Sequence, residues 1–106
     1  MQDDHQIFLP PSFTALYSDT RGRLRATAAQ LCARYELCED LANHLVEQAQ
    51  QHYHGAVPSE EEVLRRIHAG LAGAESGVTP PEARWITLRL AELLQWHSPE
   101  LPGGVD

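Results

Sequence analysis

Six histidines and two cysteines are the residues of this 106-residue chain with the most versatile chemistry, and their spacing decides what they can do together. His44 and His52 lie eight apart, which on a helix puts them on one face with Gln48 between them, while His52 and His54 are two apart. Zinc wants three or four converging ligands, and a helix typically supplies a pair at a spacing of four. None of these pairs has that spacing. The sequence therefore predicts no metal and no cofactor; a histidine-based site, if built, would draw on His44, His52 and His54 with Glu47 nearby. Cys32 and Cys38 are six apart and on a helix point about 240° away from each other, so they are expected as free thiols filling apolar space. No GxGxxG, GxxxxGK[ST], HExxH, CxxC or GxSxG occurs, and with these absent no catalytic residue is expected.

Charge narrows the partners. Fifteen acidic residues against eight basic ones give a net charge of −7. Nucleic-acid binding depends on Lys and Arg releasing counterions from phosphate, and no segment here is a basic stripe. Arg21, Arg23 and Arg25 form a short run, but Asp19 adjoins it. The second and third helices could be read as a helix-turn-helix regulator with Arg84 and Arg89 on the recognition helix. Their connection from Leu71 to Thr79 is too long for that motif, and Glu82 and Glu92 offset the arginines. An anionic membrane surface is disfavoured by the same balance. No apolar run approaches the roughly 18 residues of a membrane span, and Asp3 and Asp4 stand where a secretory signal carries positive charge, so a cytoplasmic protein is expected. Every basic residue is Arg, a composition that points to a GC-rich bacterial genome.

The elements that must position these residues are helices. Thr27 and Gln30 have the form of a capping box, and Leu31, Tyr35, Cys38, Ala42, Leu45, Ala49 and Tyr53 step by four and three, so a first helix is expected over about 27–54. Glu36, Glu39, Asp40 and Glu47 make it acidic, and Arg65 and Arg66 of the next helix are expected to reach across to them. Ser59 with Glu62 opens a second helix over about 59–71, with Val63, Leu64, Ile67 and Leu71 as its apolar face. Thr79, Pro80 and Glu82 open a third over about 79–97, with an apolar stripe of Ala83, Ile86, Leu90, Leu93 and His97 flanked by Trp85, Leu88 and Trp96. Residues 6–22 read as an apolar arm in which Pro10 and Pro11 forbid a continuous helix, with room for a short helical turn after Ser12. Something must cover Ile7, Phe8, Phe13 and Leu16. Residues 1–5 and 100–106 are expected to be disordered or mobile. The fold class is all-α: one three-helix bundle-like domain with an extended apolar N-terminal arm.

With the chain laid out, PPSFTALY at 10–17, ARYELCEDLA at 33–42 and RWITLRLAELLQW at 84–96 resemble a group of small proteobacterial proteins, some of which carry the label "ATPase with chaperone activity". The similarity spans about Ile7 to Trp96. The resemblance implies a chaperone-associated or adaptor role and brings no defined catalytic residues with it. The ATPase half of the label has no phosphate loop or Walker-type acidic strand to rest on.

The expected function is a non-enzymatic interaction module, an adaptor or regulatory subunit, that binds another protein or a second copy of itself. A first helix of 28 residues would be about 42 Å long, more than the two shorter helices cover side by side, which leaves apolar surface for a homodimer to bury. Phe8, Phe13, Trp85 and Trp96 are the expected anchors, because buried aromatics dominate interface energetics. The rival readings are a histidine-based metal-binding protein or enzyme and a DNA-binding transcriptional regulator.

Overall fold

A computed structural model describes residues 9–54 and 59–101. Every regular element among them is helical: α1 (Pro11–Thr14) continuing into a 3-10 turn (Ala15–Tyr17), α2 (Ala28–His54), α3 (Glu60–Leu71) and α4 (Pro80–Leu94). The all-α class expected from the sequence is what the chain adopts. Ile7, Phe8, the first five residues and most of the C-terminal tail lie outside the described residues.

The backbone contacts gather into two units, residues 1–37 and 38–106. In the first, the arm is not extended throughout: residues 11–17 are helical. The reason is local. Pro10 is extended (ψ 141°), and Pro11 at the first helical position has no N–H to leave unsatisfied, while Phe13 and Thr14 donate their N–H groups to the Pro10 carbonyl at 2.9 and 3.1 Å. This turn buries Phe13 completely, with the Tyr17 and Tyr35 rings each 5.5 Å from it, the latter edge-on. Beyond it the chain reverses at Asp19, whose carboxylate accepts the N–H groups of Arg21 and Arg23 at 2.8 and 2.9 Å. Those bonds hold the Asp19 carboxyl below its ordinary value. Gly22 sits in this turn at φ +81°, a conformation a side chain would strain. Thr27 then starts α2: its Oγ1 accepts the Gln30 N–H at 3.1 Å and its own N–H donates to Gln30 Oε1 at 2.8 Å, the reciprocal box expected from the sequence.

The second unit holds the rest of α2 with α3 and α4. Ala49, Val63, Leu64, Leu90 and Ala91 form its buried cluster, and Leu45, Val46, Ile67, Leu94 and Trp96 pack around it half-buried. Ser59 caps α3 by accepting the Glu62 N–H at 3.1 Å. Thr79 and Glu82 close a full capping box at the start of α4. That helix was expected to run to about residue 97 and stops at Leu94. Gln95 turns left-handed (φ 60°), its N–H bonding the Glu92 carbonyl at 3.1 Å while the Trp96 N–H reaches the Ala91 carbonyl at 2.9 Å. This is a Schellman ending, and the apolar contact that accompanies such endings is supplied by Trp96, which packs on the cluster containing Ala91 and lies 5.4 Å from the Tyr53 ring.

Candidate functional site

Between α2 and α3, within the second unit, lies a groove of about 400 Å³. α2 lines it with Leu45, Gln48 and His52, and α3 with Val63, Arg66, Ile67, Gly70 and Leu71. The spacings explain why these residues share it. Leu45, Gln48 and His52 are three and then four apart, and Val63, Ile67 and Gly70 are four and then three apart, so each set forms one ridge along its helix. Val63 is buried at the floor, Leu45, Ile67 and Leu71 are half-buried, and Gln48, His52 and Arg66 are exposed at the rim. Gly70 has the role of an open wall: a Cβ built there meets nothing within 4 Å. A volume of this size lies at the low end of the roughly 300 to 1,000 Å³ of ligand sites, and an apolar floor with a few polar rim groups is the composition of a recognition trough.

Among the described residues the histidines do not converge. His52 belongs to the groove; His44 is exposed, its Nδ1 2.9 Å from the Asp40 carbonyl one turn back, which makes that nitrogen the protonated one. The His54 side chain lies outside the described residues. Among them no three His, Cys, Asp or Glu side chains are placed to hold a metal ion. Cys32 is half-buried and Cys38 buried, both as free thiols. Of the expected anchors, Phe13 is fully buried and Trp85 only 8% exposed, so the chain itself covers both; Trp96 is half-buried against the second unit's core.

Two polar arrangements lie beyond those singled out in the sequence. Glu39 of α2 receives a fork from Arg89 of α4, with Arg89 Nε 2.9 Å from Oε1 and Nη2 2.9 Å from Oε2, while Arg89 Nη1 reaches Glu92 at 3.1 Å. The fork holds the Glu39 carboxyl below its ordinary value and raises that of Arg89. Arg65 and Arg66, expected to cross to α2, instead pair with Glu61 and Glu62 one turn back on α3. A partner at i−4 on the same helix is already within reach without bridging to another element, so the local pair forms first. The other arrangement is buried: His68 is 5% exposed, with no hydrogen-bond partner for its Nε2 among the described residues, and Arg84 of α4 is close enough for its charge to act on the ring. Burial first, and Arg84 second, push the imidazole below its ordinary value.

The folded His68 therefore takes a proton less readily than the unfolded chain does. Stability that is intact above the ordinary imidazole value is lost as pH falls through the lowered one. His68→Leu removes the unpartnered nitrogen and the titration together. The variant is expected to match or exceed the parent at pH 7.5 and to lose less than the parent does on acidification below the ordinary imidazole value, read from urea midpoints. An unchanged pH dependence would show that His68 is not the titrating group.

No helix among the described residues is long and apolar enough to cross a membrane. Compared with known proteins, the chain matches no protein-family model, no curated protein and no solved structure.

Proposed function

We propose that this chain is a non-enzymatic interaction module, an adaptor or regulatory subunit, that seats a protein partner in the α2–α3 groove. The observation that carries the reading is the groove's composition: half-buried aliphatic side chains contributed by both helices, with polar groups confined to the rim. Partner helices dock on surfaces of this kind through side chains repeating at i, i+3, i+4 and i+7. Phe13 and Trp85 are covered within the chain, so α2 and α3 take the place of the arm and α4 as the binding surface. Free thiols and an arginine-only basic set support a reducing bacterial cytoplasm as its setting.

Gly70 supplies the test. Gly70→Ala places a methyl group in open space and removes a glycine from the last turn of α3, so it is expected to stabilise the fold by up to about 0.5 kcal/mol and to leave binding intact. Gly70→Trp fills the trough. In a capture experiment from a lysate of the source organism, parent and Gly70→Ala should retain the same protein and Gly70→Trp should lose it while keeping a cooperative thermal transition. Retention by the folded Gly70→Trp variant would sink the reading.

A further inference from the structure

We infer that the occupant of the α2–α3 groove is an amphipathic helix of another protein whose apolar stripe is flanked by acidic residues; this rests on the groove being the binding surface. The length fits a helix. From Leu45 to His52 the ridge rises about 10 Å, two helical turns, which matches side chains at i, i+3 or i+4, and i+7 of a partner. The charge specifies its sign. The chain carries fifteen carboxylates against eight arginines, yet among the described residues that line the groove none is a carboxylate, and the ionisable ones are Arg66 and His52. Among the described residues Arg66 is held from one side: its Nε bonds Glu62 Oε2 at 3.0 Å, which fixes the guanidinium at the rim with its Nη groups disposed for a second carboxylate. His52, across the trough on α2, is exposed and adds a second donor. A second copy of this chain is the poorer occupant. A two-fold contact sets the same patch against itself, so Arg66 and His52 would face the same two groups, with the nearby carboxylate, Glu62, already engaged by Arg66. An acidic helix satisfies both rims and buries the aliphatic floor.

The experiment uses the full chain and three synthetic helical peptides that share one Leu/Ile stripe and differ only in carrying Glu, Gln or Lys on the flanks, with binding read by fluorescence anisotropy. The Glu peptide is expected to bind at least about tenfold more tightly than the Lys peptide at low salt, with the gap narrowing at 0.5 M NaCl. Arg66→Glu should reverse the order, and Gly70→Trp should abolish binding of all three. Equal binding of the three peptides, still lost in Gly70→Trp, overturns the acidic-helix inference and leaves the groove as the binding surface. Binding that survives Gly70→Trp, or no binding of any peptide, overturns the inference, and the former removes the groove reading with it. A dimer by native mass spectrometry that Gly70→Trp dissociates would overturn it in favour of self-association.

Discussion

Phe13→Ala is expected to cost about 3 to 5 kcal/mol, a large share of the roughly 5 to 15 kcal/mol that stabilises a chain of this size. The ring is fully buried, and it meets Tyr35 of α2 edge-on and Tyr17 at a tilt, both at 5.5 Å between centroids. Truncation removes the transfer free energy of the ring and two aromatic contacts, and it leaves a cavity that the short α1 turn, pinned by Pro10 and Pro11, can close only in part. Phe13→Leu keeps much of the volume and should recover more than half of the loss. Urea unfolding followed by far-ultraviolet circular dichroism reads both. A loss under 1 kcal/mol for Phe13→Ala would mean that the ring is not part of the core and would return it to the set of partner anchors.

The helices were legible because their signals are local. Thr27 with Gln30, Ser59 with Glu62, and Thr79 with Pro80 and Glu82 each fix a helix start within four residues of sequence, and each cap is present. The end of α4 was missed because Pro99 is the strongest helix breaker in that part of the sequence, whereas the chain turns at Gln95, a residue type that carries little preference for the left-handed region. The Trp96 indole packing on the core offsets that local strain, and packing is not written in a four-residue window. His68 could have been found: it stands four residues after Leu64 and so continues the buried face of α3. The groove could not. Its ridges are ordinary amphipathic stripes taken one helix at a time, and only the meeting of α2 with α3 leaves Leu45, Ile67 and Leu71 half-buried beside a glycine with nothing opposite it. The Glu39–Arg89 fork joins residues fifty apart, and nothing local distinguishes these two from the other charged residues of their helices.

That fork sets the second large expectation. Arg89→Ala should cost about 2 kcal/mol at pH 7, because it removes the charge-assisted fork between helices and leaves the half-buried Glu39 carboxylate with Asn43 as its remaining side-chain donor among the described residues. The pair is 34% and 22% exposed, so water tempers the loss well below that of a fully buried ion pair. Arg89→Lys should recover little of it, since an ammonium cannot donate in parallel to both carboxylate oxygens. A double-mutant cycle with Glu39→Gln isolates the pair, and the coupling should exceed 1 kcal/mol against the few tenths expected of the helix-surface pair Arg65 and Glu61. The pH dependence has a definite sign. Glu39 has a folded pKa below its ordinary value, so the stability it contributes is present above the ordinary glutamate range and is lost as pH falls through the lowered value. The penalty of Arg89→Ala should accordingly shrink on acidification below that range. A penalty that stays constant from pH 7 to pH 3 would show that Arg89 stabilises the chain through the packing of its aliphatic stem and not through Glu39.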